Sequence, residues 1–314
     1  MNKKLGVFPT MITPYKNDGD VDYNGIRSIV KWYWKKDCDG IFAVCQSSEI
    51  FYLTLDERVK IAKTVVETVR DLEVQYPGAK SMKIVVSGHV SDDFKDQVKE
   101  LTALSKVGAD ALILISNRLD IENTCDEKWI KDLHKLINAL PNNIPLGIYE
   151  CPKPYKRLLT EKMIEACKET GRFAFIKDTC CDASIIKKRI KILKNSDIGL
   201  YNANAQTLLA TLRNGADGYC GVMANFHPEL YKWLFNNQQN DKSEIVQSFI
   251  GLSAFTESLA YPATAKYYLK EYENIDIESI SRAVDCKLVT DYQKSCLKQM
   301  KYLSDFIKLQ VGIQ

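Results

Sequence analysis

One lysine, Lys177, stands at the end of the apolar run Phe173–Lys177. A run of this composition is typical of a strand that is buried on both faces of a parallel sheet, and it would deliver the lysine to the carboxyl end of that strand. Loss of water at such a place favours the neutral amine, which can attack a ketone carbon and form a Schiff base. The alternative is a lysine that ends a strand and extends its ammonium group to solvent.

Two further sets of side chains could take part in the same chemistry. Tyr149 closes the preceding apolar run, and a phenol at that place can transfer protons to and from a Schiff-base intermediate. Ser47 and Ser48 follow an earlier run, where their hydroxyl and backbone N–H groups suit a carboxylate. The structural alternatives are a core aromatic for the tyrosine and a plain helix-capping turn for the serines.

Eight short apolar runs alternate with segments of helical periodicity in residues 1–235. None of the runs alternates polar with apolar side chains, which is typical of parallel strands covered by helices. Eight right-handed strand–helix–strand units favour a closed (β/α)8 TIM barrel, an α/β fold, over residues 1–235. An open doubly wound sheet is the alternative, but no G-x-G-x-x-G motif follows the first run. The runs are Gly6–Met11, Gly40–Val44, Lys83–Ser87, Ala111–Ile115, Leu146–Tyr149, Phe173–Lys177, Ile198–Tyr201 and Gly218–Met223.

The segments between the runs carry apolar side chains at spacings of three and four residues. One of them opens with Thr54-Leu55-Asp56-Glu57, a capping box in which the hydroxyl and the carboxylate satisfy exposed backbone N–H groups. From about Phe235 onward the strand patterns stop, so residues 236–314 are expected to form a C-terminal helical extension packed on the barrel. Because a barrel carries its functional site at the carboxyl ends of its strands, the candidate side chains are expected to meet at one mouth.

Composition and charge exclude several classes of protein. The formal net charge is only +3 and no basic stripe stands out, which argues against a nucleic-acid partner. No apolar run reaches the ~18 residues of a membrane span, and the first six residues do not resemble a signal peptide. The ten cysteines show neither a CxxC pair nor zinc-finger spacing, so we expect reduced thiols in a cytoplasmic protein.

Five motifs, taken in order along the chain, resemble the dihydrodipicolinate synthase / N-acetylneuraminate lyase family of class I aldolases. They correspond to the family's opening strand, its carboxylate-binding turn, its Tyr-x-x-Pro motif, its Schiff-base strand and a strand that ends in Ala-Asn. Each motif is weak by itself, but their order and spacing run through essentially the whole chain. The segments are Gly6–Pro14, Cys45–Glu49, Tyr149–Pro152, Phe175–Thr179 and Gly218–Asn225.

The resemblance implies a mechanism without a metal or another cofactor. Lys177 would form the imine with pyruvate or another 2-oxo acid, Tyr149 would transfer the proton, and Ser47 would hold the carboxylate. The imine acts as an electron sink, so a carbon–carbon bond next to it can form or break. The family also implies a homo-oligomer, either a dimer or a tetramer built from dimers. Further substrate contacts would come from Gln46, Ser48, Thr179 and Cys220.

The sequence departs from the family at positions that bind the second substrate. In the synthase branch an arginine follows the tyrosine by five residues and a second tyrosine lies near the fourth strand; here these positions are Pro154 and Ser116. The sialic acid branch has acidic residues after the seventh strand, whereas Asn202–Ala205 has none. Glu150 and its loop are therefore expected to shape an altered pocket, for a sugar-derived 2-keto-3-deoxy acid or a related aldehyde. The alternatives are dihydrodipicolinate synthase proper, which uses aspartate semialdehyde, and a catalytically silent barrel that binds a 2-oxo acid.

Two other kinds of barrel enzyme fit the sequence less well. A pyridoxal-phosphate barrel also uses a lysine imine, but a tight turn explains the glycines of its candidate phosphate loop, Asn214–Gly218. A metal-dependent barrel needs clustered ligands, and among His89, His134 and His227 only His89 stands at a strand end.

Overall fold

The computed structural model describes residues 6–285 and 289–313 of the chain. Eight strands occur within these residues, and they pair in parallel in one sheet. The strands are β1 (Gly6–Val7), β2 (Gly40–Ala43), β3 (Lys83–Val86), β4 (Ala111–Ile115), β5 (Leu146–Tyr149), β6 (Phe173–Asp178), β7 (Gly199–Asn202) and β8 (Gly218–Tyr219). Their order in the sheet is β1-β8-β7-β6-β5-β4-β3-β2.

The segment after β1 brings the two ends of this sheet together. Thr10 forms a parallel bridge with Phe42 of β2. The Phe42 N–H donates to the carbonyl of Pro9 (2.9 Å), and the Met11 N–H donates to the carbonyl of Phe42 (3.0 Å). The eight strands therefore form a nearly closed ring, and the predicted (β/α)8 barrel is confirmed.

Helices follow the strands in alternation and then continue alone beyond β8. The predicted capping box at the start of the second helix is present: the Thr54 hydroxyl accepts from the Glu57 N–H, and the Glu57 carboxylate accepts from the Thr54 N–H. The helices within the described residues are α1 (Tyr23–Lys35), α2 (Leu55–Gln75), α3 (Phe94–Leu104), α4 (Asp126–Asn138), α5 (Glu161–Glu169), α6 (Ala183–Ile192), α7 (Leu208–Arg213), α8 (Pro228–Asn236), α9 (Ser243–Ser253), α10 (Ala263–Glu273) and α11 (Asp291–Gln310).

The strand ends differ from the predicted apolar runs where the chain leaves the sheet. β8 stops at Tyr219 because the chain turns into a 3₁₀ segment at Val222–Asn225. β6 continues one residue past the predicted end to Asp178, which pairs with Asn202 of β7. These ends lie at the same mouth of the barrel, so their length decides which side chains reach it.

Four aromatic rings fill the barrel interior, and we call this set the aromatic floor: Phe8, Phe42, Phe175 and Tyr201. The rings of Phe175 and Tyr201 are stacked with their centres 4.2 Å apart, and Phe8 meets them edge-on at 5.4 and 4.9 Å. Phe175 precedes Lys177 by two residues and lies on the same face of β6. Phe175 therefore lies one layer below the lysine, and the rings packed against it close the barrel beneath the lysine.

A fully buried ion pair attaches the C-terminal helices to the barrel. Lys266 of α10 lies 2.5 Å from the carboxylate of Glu49, which belongs to the turn after β2, and neither side chain is exposed. The other carboxylate oxygen of Glu49 accepts from the backbone N–H groups of Arg282 (2.6 Å) and Ala283 (2.8 Å). Glu49 therefore joins the turn, α10 and the segment that follows α10.

The C-terminal region is helical where it is described. α8 ends at Asn236, one residue beyond the predicted boundary between a barrel of residues 1–235 and an extension of residues 236–314, so this division stays a prediction. Residues 286–288 and 314 of the extension, and residues 1–5 at the start, lie outside the described residues. None of the described helices combines the length and the apolar character that crossing a membrane requires.

We predict that Lys266→Met lowers the free energy of unfolding by about 3–5 kcal/mol, because Glu49 then remains buried without its counter-ion. Lys270→Met on the same helix removes a half-exposed pair with Glu278 and is expected to cost about 1 kcal/mol or less. Urea unfolding followed by circular dichroism measures both variants. Equal losses of unfolding free energy in the two variants would contradict the role of the buried Glu49–Lys266 pair in attaching α10 to the barrel.

Candidate active site

The register of two neighbouring strands brings the predicted lysine and tyrosine together. Tyr149 of β5 is the Cα partner of Lys177 of β6, so the two side chains point to the same side of the sheet. The ammonium nitrogen of Lys177 lies 4.1 Å from the centre of the Tyr149 ring and 5.5 Å from that of Phe42. Lys177 is 4% exposed and Tyr149 is 3% exposed, so both are enclosed by the barrel wall.

The surroundings of Tyr149 keep its phenol protonated. Burial raises the pKa of Tyr149 well above its usual value, and the nearby thiols of Cys151 and Cys45 add to this effect. The ring packs edge-on against Phe42, with centres 5.5 Å apart, which fixes its orientation. At neutral pH the phenol can therefore donate a proton to a group bound at Lys177.

The turn after β2 places the two predicted serines in different surroundings. The Ser47 hydroxyl donates to the hydroxyl of Thr10 (3.0 Å). The Ser48 hydroxyl donates to the carbonyl of Met11 (2.6 Å) and accepts from the N–H of Cys45 (3.1 Å), and Ser48 is fully buried. Ser48 thus stabilises the turn, while Ser47 faces the mouth of the barrel.

Two adjoining cavities open at this mouth. The first cavity has a volume of about 280 Å³ and the second about 200 Å³. Both are lined by Tyr149, Pro152, Lys177, Val222 and Glu257. The first is also lined by Gln46, Ser47, Glu49, Phe51, Tyr52, Lys153, Tyr261, Pro262, Ala283 and Val284. The second is also lined by Lys156, Thr179, Cys181, Ala203, Asn204 and Gly221. A larger cavity of about 450 Å³ is lined by residues of α3 and α4 and does not include Lys177.

The remaining predicted substrate-binding residues are distributed unevenly around these cavities. Gln46 lines the first cavity, and its amide oxygen accepts from the thiol of Cys151 (3.4 Å). Within the described part of the chain no group accepts from its two N–H donors, which remain for a ligand. Thr179 lines the second cavity, with its hydroxyl donating to a backbone carbonyl. Cys220 is fully buried, burial raises the pKa of its thiol to about 12, and like Ser48 it lines neither cavity. Substrate contacts by any of these residues stay predictions.

A buried ion network lies directly behind Lys177 and Tyr149. Arg189 of α6 pairs with Asp178, the residue after Lys177, and with Glu150, the residue after Tyr149 (2.8 Å to Glu150). Glu150 also accepts from the backbone N–H groups of Thr179 and Leu159, both at 2.7 Å. These contacts join the ends of β5 and β6, so they hold Lys177 and Tyr149 in register.

The position of Glu150 corrects one expectation. We expected this residue to shape the pocket for the second substrate, but its side chain is fully buried and turned toward Arg189. The expectation was wrong because the residue after a strand end continues the alternation of the strand, so Glu150 points away from the cavity that Tyr149 faces.

The loop after β5 is held by a residue of the neighbouring strand end. The Asn117 amide donates to the carbonyls of Cys151 (2.9 Å), Lys153 (2.9 Å) and Tyr155 (2.5 Å). Arg157 is buried and pairs with Asp120 at 2.8 Å, so it does not reach the mouth. Lys156 of the same loop lines the second cavity, as Pro152 does.

The sequence analysis missed two cavity residues that come from the C-terminal region. Tyr261 lines the first cavity, and its hydroxyl accepts from the amide of Asn225 (3.1 Å). Glu257 lines both cavities. Neither residue stands at a strand end, which is where the sequence of a barrel predicts site residues. The local sequence around Tyr261 and Glu257 therefore carries no signal that would identify them.

We predict that Arg189→Met lowers the free energy of unfolding by about 3–5 kcal/mol, because two buried carboxylates lose their counter-ion. Burial, and then the charge of Asp178, already raise the pKa of Glu150. Without Arg189 the folded protein holds a proton on Glu150 that the unfolded chain releases, so the loss grows as the pH rises from about 5 to about 8. Urea unfolding at both pH values, with the exposed neighbour Lys188→Met as control, measures this. A loss that is independent of pH would contradict it.

Comparison with known proteins agrees with this architecture. The sequence profile of the Dihydrodipicolinate synthetase family matches residues 3–252. A 4-hydroxy-tetrahydrodipicolinate synthase of Clostridium perfringens is 25% identical over 221 residues, which cover 70% of each chain. 4-hydroxy-tetrahydrodipicolinate synthase 1 of Clostridium acetobutylicum is 25% identical over 250 residues, 79% of this chain and 80% of that protein.

Solved structures share the fold at lower sequence identity. The chloride-inhibited dihydrodipicolinate synthase of Acinetobacter baumannii, complexed with pyruvate, aligns over 100% of both chains with a TM-score of 0.79 and 19% identity. CdNal of Clostridium difficile, in complex with mannosamine, has a TM-score of 0.80 and 18% identity, over 96% of this chain and 99% of that one. With the family profile spanning most of its length, the chain belongs to the dihydrodipicolinate synthetase family, whose members are class I lyases and aldolases.

Proposed function

We propose that the protein forms a Schiff base between Lys177 and pyruvate or another 2-oxo acid, and makes or cleaves a carbon–carbon bond next to it. The observation that carries the proposal is the enclosed pair of Lys177 and Tyr149, with the amine 4.1 Å from the ring centre where both cavities meet. Lys153 and Lys156 also line the cavities, but their side chains are exposed. The pyruvate found in the Acinetobacter baumannii structure supports pyruvate as the 2-oxo acid.

The reaction needs a nucleophile and a proton carrier, and the site offers both. The neutral amine of Lys177 adds to the ketone carbon, and loss of water gives the imine. Removal of a proton from the neighbouring carbon gives an enamine, which adds to the carbonyl carbon of an aldehyde while the aldehyde oxygen takes up a proton. Water then hydrolyses the imine and releases the product. In this proposal the Tyr149 phenol moves these protons, and the reverse sequence cleaves the bond.

The first cavity suits the carboxylate of the 2-oxo acid. Gln46 and Ser47 line it; the Gln46 amide supplies N–H donors to a carboxylate, and the Ser47 hydroxyl can do so by turning away from Thr10. Because these groups lie on the turn after β2, across the mouth from β6, a small 2-oxo acid can contact them with its carboxylate while its ketone carbon faces Lys177.

We infer that the other substrate is a sugar-derived 2-keto-3-deoxy acid, or the aldehyde released from it, because the arginine of the synthase branch is missing. The relatives that are named synthases raise the alternative of aspartate semialdehyde. In this chain, however, Pro154 replaces the arginine of that branch, and the nearby Arg157 is held by Asp120. The rigid bidentate carboxylate binding that an arginine provides is therefore not available at this place.

We predict that borohydride reduction in the presence of pyruvate traps a covalent adduct on Lys177. Intact-protein and peptide mass spectrometry locate the adduct. Lys177→Met is expected to remove it, whereas Lys153→Met, which changes an exposed lysine of the same mouth, keeps it. An adduct on Lys153 or Lys156 in the wild-type protein, or none on any lysine, would refute the assignment of Lys177.

A second prediction concerns the phenol. Tyr149→Phe keeps the ring that packs on Phe42 but lacks the hydroxyl, so kcat for carbon–carbon bond formation is expected to fall by about 10²–10⁴-fold. The control is Tyr76→Phe, at an exposed tyrosine beyond α2, which is expected to leave kcat unchanged. Steady-state kinetics with pyruvate and an aldehyde give the comparison. A kcat for Tyr149→Phe within a few-fold of wild type would exclude this proton-transfer role.

A further inference from the structure

An acidic side chain without a strong partner faces the same cavities as Lys177. Glu257 belongs to the 3₁₀ segment Ala254–Ser258, which follows α9 and contacts the 3₁₀ segment Val222–Asn225 after β8. Its side chain lines both cavities. Among residues 6–285 and 289–313, none forms a hydrogen bond or an ion pair with its carboxyl group.

Other polar side chains around the cavities are already engaged within the protein. Glu49 is paired with Lys266. The Thr179 hydroxyl donates to a backbone carbonyl at 2.8 Å. The Asn204 side chain accepts from the backbone N–H of Thr207 (3.0 Å) and donates to a glutamine two residues further on. Like the Gln46 amide on the other side of the first cavity, the Glu257 carboxyl group is therefore left to bond a ligand.

The charges at the mouth narrow the chemistry of that ligand. Lys156 lines the same cavity as Glu257, and its positive charge disfavours an incoming ammonium group. A carboxylate beside Glu257 would meet a like charge. The side chain is exposed at the mouth, where the surrounding walls raise the pKa of its carboxyl group and Lys177 lowers it. As a carboxylate the group accepts hydrogen bonds from hydroxyl groups, and when protonated it also donates one.

We propose that Glu257 selects the second substrate by hydrogen bonding to the hydroxyl groups of a neutral, hydroxylated aldehyde. The inference rests on the proposed function, because the aldehyde must reach an enamine carried by Lys177. Since Glu257 lines both cavities, it can contact an aldehyde chain that extends from the lysine into the second cavity. Glu257 is a specificity residue in this account, and the carbon–carbon bond chemistry belongs to Lys177 and Tyr149.

Two aldehydes of equal carbon number test the inference. Glyceraldehyde carries two hydroxyl groups, and propionaldehyde has the same three carbons without them. The value of kcat/KM for condensation with pyruvate is measured for both aldehydes in the wild-type protein, Glu257→Leu, Glu257→Gln and Ser258→Ala. Ser258→Ala is the matched control, because its hydroxyl bonds a carbonyl of its own segment and lines neither cavity. Borohydride trapping of pyruvate is run on the same four proteins.

The wild-type protein is expected to prefer glyceraldehyde, and Glu257→Leu is expected to reduce that preference by about 10- to 100-fold, mainly through KM. Glu257→Gln keeps hydrogen-bonding groups and should lose less, Ser258→Ala should match wild type, and pyruvate trapping should be equal in all four. Equal losses for both aldehydes in Glu257→Leu, or a wild-type protein that traps pyruvate without preferring glyceraldehyde, would overturn the role of Glu257. A wild-type protein that fails to trap pyruvate would instead refute the proposed function from which this inference starts.

Discussion

One arginine, buried behind the barrel mouth, fixes the geometry on which the site depends. Lys177 and Tyr149 come from different strands, and the residue after each of them is a carboxylate that pairs with Arg189. Alone, either carboxylate would be costly to bury, since neither is exposed. Because the network is satisfied only when the two strand ends lie side by side, it couples the register of β5 and β6 to the placement of the amine beside the phenol.

The C-terminal region completes a site that the barrel alone leaves open. The barrel supplies Lys177 and the aromatic floor beneath it, whereas Tyr261 and Glu257 line the mouth from outside the strand–helix repeat. The buried pair of Glu49 with Lys266 ties this region to the turn that presents Ser47. The shape of the cavities therefore depends on how the C-terminal region is attached to the barrel. A change in this region can alter the cavities without altering the barrel.

The barrel and the meeting of Lys177 with Tyr149 at its mouth could be predicted from sequence because both follow from local pattern, whereas the chemical roles of the two residues stay predictions. Apolar runs mark buried parallel strands, and residues at or just after the ends of those runs must lie at one mouth, as Lys177, Tyr149 and Ser47 do. Side-chain direction just beyond a strand end was harder to predict, so Glu150 was assigned to the pocket although it faces Arg189. Glu257 could not be predicted, because only the tertiary packing of the 3₁₀ segment after α9 brings it to the mouth.

The central claim is that Lys177 holds a 2-oxo acid covalently, with its carboxylate toward the turn after β2. A crystal structure of the protein soaked with pyruvate tests it most directly. The account predicts continuous electron density from the Lys177 Nζ to the ketone carbon, the carboxylate in contact with Gln46 and Ser47, and the Tyr149 hydroxyl facing the new bond. Pyruvate bound without a covalent link, or bound to Lys177 with its carboxylate in the second cavity, would contradict it.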